Sequence, residues 1–238
     1  MAEKPLGIII PVYNEAENIG ETLKKIQESV ATPHTVYLVY DFPEDTTVAA
    51  AVPFGKRGMD IVFLENRRGG VANAIRQGLS SAPNNILLVT MADVSDDLSV
   101  VDEMYSLMAS GYDVICGSRY APGGKQIGGP FFKKQLSRAA GLSLFWLGAV
   151  PIRDVTNSFK MYRKSILENM LITSDRGFEI GMEITVKAVA AGYRVGEVPC
   201  TWKERVAGAS RFRLFAWLPR YLKWYCFAVG ARLRRSWA

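Results

Sequence analysis

The stretch Ile86-Leu87-Leu88-Val89-Thr90-Met91-Ala92-Asp93-Val94-Ser95-Asp96-Asp97 decides how the chain is read. Ile86 to Thr90 is a short apolar run with the length and composition of a strand buried on both faces. It stops at three carboxylates, Asp93, Asp96 and Asp97. In an open α/β sheet, ligands bind beyond the carboxyl ends of the strands. A carboxylate cluster there suits a divalent ion set against a diphosphate. The same acids also suit the start of a helix after Leu98, where the helix dipole favours negative charge. These residues alone leave both readings open.

Outward from this stretch the pattern alternates. Leu6 to Val12 reads as the first strand, with Pro11 at its end, where a missing N–H is tolerated. Asn14 with Glu17 has the spacing of a capping box, and Ile19, Leu23, Ile26 and Val30 recur at helical spacing. Thr35 to Tyr40 is a second strand, followed by an acidic loop, Asp41 to Asp45. Asp60 to Leu64 is a third, followed by a basic, glycine-containing turn from Asn66 to Gly70 and a helix burying Val71, Ile75 and Leu79. After the central strand come a helix using Val101, Met104 and Met108, and a short strand, Asp113 to Cys116. Strands alternating with helices predict an α/β fold with a mostly parallel sheet and helices on both faces.

Beyond Gly117 the pattern changes. Tyr120 to Pro130 is a glycine- and proline-rich loop, long enough to suggest a functional one. A helix from Phe132 to Leu147, a strand from Ser158 to Tyr162, a helix from Glu179 to Ala190 and a last strand from Tyr193 to Pro199 follow. Thr201 to Arg213 is polar and basic. No repeat or linker divides the chain, which reads as one domain over 1–211 and an aromatic, basic segment over 212–238.

Composition narrows the function. The net charge is +6, with much of the excess near the C-terminus. This points to an anionic partner such as a nucleotide, a lipid phosphate or a membrane surface. Nucleic acid is disfavoured, because no helix-turn-helix, zinc-finger or RNP-type pattern is present. Cys116, Cys200 and Cys226 have neither metal spacing nor a disulfide framework, as in a reducing compartment. The lone histidine, His34, reads as a surface loop residue, which argues against histidine acid–base chemistry. No signal peptide and no bilayer-spanning segment is expected. In the C-terminal segment, Trp217, Tyr221, Trp224, Tyr225 and Phe227 are interleaved with Arg220 and Lys223. That pattern suits a helix lying in a bilayer interface, or one packed on the sheet, on a second copy or on a membrane-embedded partner subunit.

Taken together, the motifs resemble the family 2 glycosyltransferases with the GT-A fold, and within them the dolichol-phosphate mannosyltransferases and bacterial polyprenyl-phosphate glycosyltransferases. The resemblance runs from about Ile8 to Arg213. Pro11-Val12-Tyr13-Asn14-Glu15 matches the opening motif beside the nucleotide. Asp41 matches the second of a pair of acids that accept hydrogen bonds from the nucleoside base; Tyr40 replaces the first. Asn66 to Ala74, with Gly70 and Asn73, resembles the turn under the donor. Met91-Ala92-Asp93 occupies the D-x-D position with methionine for the first aspartate. Asp93 is then the main metal ligand, with Ser95 and Asp96 as further candidates. Gly117-Ser118-Arg119-Tyr120 and Gly123-Gly124 match the acceptor-loop motif, and Lys133 and Ser137 stand where that subgroup places groups near the lipid phosphate. Asp154 to Phe159 and Glu197-Val198-Pro199 match further signatures, as does Arg205 with Gly208, Ser210 and Arg211.

What the resemblance implies is inverting transfer of a hexose from a nucleoside diphosphate sugar, GDP-mannose or UDP-glucose, to a polyprenyl or dolichyl phosphate. It implies Mg²⁺ or Mn²⁺ as cofactor, a role in cell-envelope glycan synthesis, and work at the cytoplasmic face of a membrane. Asp93, Arg119 and Arg205 would be catalytic, and Arg119, Lys133, Ser137 and Arg205 would hold the acceptor phosphate. Two rivals stay open: a glycosyltransferase acting on a soluble saccharide acceptor, and a non-catalytic nucleotide-sugar-binding protein, which the replacement of two family acids by Tyr40 and Met91 supports.

Overall fold

The computed structural model of the chain describes residues 4–204 and 214–236. Its elements alternate as β1 (Leu6–Pro11), α1 (Ala16–Ser29), β2 (His34–Tyr40), α2 (Thr46–Lys56), β3 (Ile61–Glu65), α3 (Val71–Ser81), β4 (Ile86–Val89) and α4 (Val101–Ala109). Then come β5 (Val114–Ser118), β6 (Lys125–Ile127), α5 (Phe131–Trp146), β7 (Lys160–Arg163), α6 (Lys164–Glu168), α7 (Glu179–Ala190), β8 (Val195–Pro199), β9 (Thr201–Lys203) and α8 (Leu214–Ser236).

Seven strands form one sheet in the order β3-β2-β1-β4-β7-β5-β8. All neighbours are parallel except β7, which runs antiparallel between β4 and β5. Because successive strand residues point to opposite faces, each strand feeds two cores. Ile9, Val39, Leu87 and Val114 face α3 and α7, with Ile75, Leu79, Ile180 and Ile184. Ile8, Ile10, Leu38, Leu88 and Ile115 face α1 and α4, with Leu23, Ile26, Met104 and Met108. Burial on both sides is why these strands read as unbroken apolar runs. α3 approaches the sheet closely at Gly78, where an added Cβ would lie 2.2 Å from Ile9 Cγ2.

Three features depart from expectation, and a fourth takes up an alternative left open for the C-terminal segment. α2 shows no apolar stripe and carries Pro53, so helical periodicity did not reveal it; Asp45 caps it by accepting from the Thr47 amide at 2.9 Å. Asn14 and Glu17 form no capping box. Glu15 is the N-cap of α1 without a side-chain cap, and Asn14 adopts φ +53° and accepts instead from the Thr46 amide at 3.2 Å. The glycine-rich loop contains β6, and the basic segment after β8 begins as β9, the two pairing as a small parallel sheet. α8 buries Trp224 and Ala228 in the α7-side core, where the Trp224 indole N–H donates to Ser174 Oγ at 3.1 Å.

Candidate functional site

Parallel β1, β2, β3 and β4 end at one edge of the sheet. So do β5 and β8, because β7 between β4 and β5 is antiparallel to both. The segments singled out in the sequence, Pro11–Glu15, Asp41, Asn66–Asn73, Met91–Asp97 and Gly117–Tyr120, all lie at that edge or just beyond it. Arg205, with Gly208, Ser210 and Arg211, lies outside the described residues.

One half of the edge is a set of clamped turns. The Asn14 amide donates to both oxygens of Asp45 at 3.1 Å, and the Glu15 amide to Thr47 Oγ1 at 2.9 Å, fixing the opening motif to the start of α2. Tyr13 is exposed and meets Phe42 edge to face at 5.2 Å. Asp41 uses one carboxylate oxygen to accept from Asn66 Nδ2 at 2.7 Å and the other from the Gly70 amide at 2.8 Å. Gly70 sits at φ +84°, which favours glycine. Asn73 Nδ2 donates back to the Gly69 carbonyl at 2.9 Å and reaches the Asp175 carbonyl at 3.3 Å. A cleft of about 420 Å³ opens here, lined by Glu65, Asn66, Arg67, Arg68 and Gln77.

The centre is the turn after β4. Ala92 is buried, and its carbonyl accepts from Thr22 Oγ1 at 2.8 Å. Asp93 Oδ1 accepts from the Ser95 hydroxyl at 2.5 Å and the Ser95 amide at 3.2 Å. Between them Val94 is held at φ +61°, a strained conformation for a β-branched residue. Asp96 turns back on the strand: its Oδ2 accepts from Thr90 Oγ1 at 2.9 Å and the Met91 amide at 3.1 Å. Burial, and then the neighbouring Asp93 charge, push the Asp96 carboxyl up to about 7. Asp97 reaches across to the Thr201 amide at 3.0 Å, and the Lys203 amide donates to the Ser95 carbonyl at 3.0 Å. β9, and β6 beside it, therefore roof this turn.

Among the described residues no three or more His, Cys, Asp or Glu side chains gather as a metal cage. A lone Asp93 still fits Mg²⁺, which is usually bound by one or two carboxylates plus substrate phosphates and water.

The other half of the edge gives Arg119 an internal partner. The sequence makes Arg119 a ligand of an acceptor phosphate, but its nearest anion is internal. Arg119 Nε donates to Asp154 Oδ2 at 2.7 Å and Nη2 to Asp154 Oδ1 at 2.9 Å, and the Arg119 amide adds a third bond at 3.0 Å. Burial alone would raise the Asp154 carboxyl; the guanidinium outweighs it and holds the group below the usual carboxylate value. Arg119 thus brings little net charge to the site. The Tyr120 hydroxyl bonds Ser137 Oγ and Gln126 Oε1, so Ser137 belongs to a polar link between α5 and β6. Lys134 is tied to the Gln126 carbonyl at 3.0 Å, while Lys133 is half-buried in the first turn of α5.

Two acids hold the edge together in ways the sequence reading did not assign: Asp45, not singled out, and Asp97, read only as part of the carboxylate cluster. Asp45 was findable, since Asp before Thr-Thr is an N-cap signal. The Asp97–Thr201 contact spans 104 residues, and no local pattern announces it.

A family model described as glycosyl transferase family 2 matches residues 7–171. The chain is 28% identical over 229 residues to the dolichol-phosphate mannosyltransferase of Pyrococcus furiosus, covering 92% of this chain and 64% of that protein. It therefore spans just under two thirds of that relative's length. The polyprenol monophosphomannose synthase of Mycolicibacterium smegmatis is 28% identical over 211 residues, covering 86% of this chain and 79% of that protein. Among solved structures, glucosyl-3-phosphoglycerate synthase from Mycobacterium tuberculosis with Mn²⁺, uridine diphosphate and phosphoglyceric acid matches with a TM-score of 0.67 at 15% identity, covering 97% of this chain and 79% of that one. The same enzyme with Mg²⁺ and uridine diphosphate gives 0.67 at 13% identity, covering 97% and 80%. The architecture is the GT-A fold.

Proposed function

The chain belongs to glycosyl transferase family 2, and from that premise we propose that it transfers a hexose from a nucleoside diphosphate sugar to a polyprenyl or dolichyl phosphate, inverting the anomeric configuration. GDP-mannose and UDP-glucose are the leading donors. The observation that carries the reading is a juxtaposition. The Asp93 turn, suited to a donor diphosphate, lies under the β6–β9 roof, and β6 belongs to the loop that resembles a lipid-phosphate acceptor loop. Two relatives named for lipid-phosphate mannosylation, aligned over most of this chain, support the acceptor class.

The chemistry asks little of a general base. A phosphate monoester has a second pKa of about 6 and is largely dianionic at neutral pH. It is already a nucleophile. The protein's task is to bring this dianion to a sugar carrying a diphosphate, so positioning and electrostatics supply most of the rate. Pro11 to Glu15, Asp41, Asn66, Gly70, Asn73 and Ala92 would line the nucleotide. Asp93, with Ser95 orienting its Oδ1, would hold Mg²⁺ or Mn²⁺ that arrives with the diphosphate. When bound, that ion neutralises charge on the leaving nucleotide. Lys133 and Arg205 would hold the acceptor phosphate, beside Ser137. Arg119, neutralised by Asp154, would position the acceptor loop and offer its remaining Nη1 edge. The acceptor's hydrocarbon would set the work at a membrane surface, on its cytoplasmic face, with α8 as an aromatic and basic element suited to it.

The test is product formation. Purified protein is incubated with a short-chain polyprenyl phosphate, Mg²⁺ or Mn²⁺ and each common nucleotide sugar, and glycosyl lipid is sought by mass spectrometry. A product lost with chelator and with Asp93→Asn is expected. Full turnover by Asp93→Asn would remove Asp93 from the site, and nucleotide binding without product from any donor would favour a non-catalytic protein. The structural neighbours with phosphoglyceric acid motivate one rival, a soluble acceptor.

A further inference from the structure

Lys160 follows directly on the Asp154 to Phe159 motif and opens β7. It is fully buried, an uncommon place for a lysine. Its neighbours in the sheet are Val89 of β4 and Cys116 of β5. A methionine would fill the same space without the desolvation that an ammonium suffers. The buried charge therefore calls for a reason, and the chemistry above does not supply one.

The side chain passes beside Gly181 of α7, where an added Cβ would lie 3.5 Å from Nζ. Nζ donates to the Val155 carbonyl at 2.9 Å and to the Asn157 carbonyl. These carbonyls flank Thr156, whose hydroxyl accepts from Arg119 Nη2 at 3.1 Å. Asn157 Nδ2 in turn donates to the Gly117 carbonyl at 2.7 Å. Lys160 thus lies behind the turn that holds Arg119 and the start of the acceptor loop. Its charge changes the local balance. Arg119 and Asp154 cancel, and Lys160 and Asp154 each act on the other's ionisation. Two cations and one anion leave this buried cluster with a single net positive charge. Burial draws the Lys160 ammonium below its ordinary value of 10.5, and Asp154 opposes that. Two carbonyl acceptors and a carboxylate favour the protonated form. The titratable groups around it keep one state between pH 5 and 8. Burial pushes the Cys116 thiol up to about 12 and the Tyr162 hydroxyl well above its ordinary value. Asp154 is held below 3.8, and Arg119 stays charged beside it.

We propose that Lys160 supplies net positive charge to the acceptor phosphate from inside the protein, acting through the Arg119–Asp154 pair rather than by contact. Arg119 brings the planar donor geometry that suits a phosphate, and Lys160 restores the charge that Asp154 cancels. Salt screens a buried charge much less than an exposed one. The attraction is strongest for a phosphate monoester, which is largely a dianion at neutral pH. The inference rests on the acceptor reading above and adds a positioning residue to it.

The experiment compares the full chain with its Lys160→Met variant, similar in shape but neutral, in calorimetric binding of a short-chain polyprenyl phosphate. At pH 7 the variant should bind roughly tenfold more weakly, with affinity for UDP and GDP unchanged. At pH 5 the monoester carries about one charge, and the deficit should shrink to roughly threefold. A merely structural role would give the same deficit at both pH values. Lys160→Gln keeps an N–H donor for the two carbonyls without the charge and should match Lys160→Met; it also serves if the methionine variant does not fold. Wild-type affinity in either variant, or a deficit that does not change with pH, would overturn the proposal. So would a full chain that binds no lipid phosphate at either pH. The reaction reading fails separately, through product on a soluble acceptor and none on the lipid phosphate.

Discussion

Replacing Arg119 by alanine separates two roles that one side chain could play. Asp154 is fully buried, and Arg119 meets it through two guanidinium nitrogens and the backbone amide. Removing one partner of a buried pair leaves an uncompensated charge and costs about 3–5 kcal/mol. An exposed pair such as Lys24–Glu28, with both side chains 61% exposed, is worth about 0–1 kcal/mol at most. For a domain of this size each kcal/mol moves the thermal midpoint by about 2–4 °C, so Arg119→Ala should lower it by about 6–20 °C. Asp154→Ala should cost a similar amount, and the Arg119→Ala/Asp154→Ala variant less than the sum, because each change removes the other's partner. The pair also fixes an acid limit. The folded carboxyl of Asp154 lies below its ordinary value of 3.8, so its contribution is complete above that value and lost as pH falls through the folded one. Urea denaturation at pH 7 and in acid measures both effects. A loss below about 1 kcal/mol with transfer down a hundredfold would refute the internal-pair reasoning and return Arg119 to direct phosphate contact.

Asp96→Asn keeps an acceptor for the Thr90 hydroxyl and the Met91 amide. Because the folded carboxyl is raised from 3.8 to about 7, the stability contributed by Asp96 is complete below the unfolded value and is lost as pH rises from there through 7; the variant should lack that decline in denaturation midpoints taken without metal or nucleotide, and an unchanged slope would count against it. Val94→Gly should relieve the φ +61° conformation and raise stability by about 1 kcal/mol, with slower transfer if that strain aims Asp93. Gly141→Ala would set a Cβ 2.1 Å from the Arg153 carbonyl oxygen and should cost about 1–3 kcal/mol by overpacking, read as a lower urea midpoint; a neutral effect would mean that α5 shifts freely.

The fold was legible wherever burial wrote itself into a period. β1 and β4 are apolar throughout, and β2 from Val36 on, because both faces are covered. α1 and α3 show clean helical stripes, and α7 matches its expected bounds, Glu179–Ala190. α2 was not legible, because it buries little and is held by the cap at Asp45. β6 and β9 were not either, since three-residue strands in a glycine-rich loop and a basic segment carry no period. In the site, short motifs found the right edge, because a parallel sheet gathers its strand ends there. The partners chosen at that edge stayed hidden. Asp154 belongs to a recognised motif, but its pairing with Arg119 crosses 35 residues and is announced by no local pattern.

Acceptor choice tests the central claim most directly. With the active donor fixed, initial rates are measured side by side on a short-chain polyprenyl phosphate, on phosphoglyceric acid and on a soluble saccharide. The expected result is kcat/KM at least a hundredfold higher for the lipid phosphate, with product of inverted anomeric configuration. A higher kcat/KM for either soluble acceptor would contradict the lipid-phosphate reading while leaving the family and the fold in place.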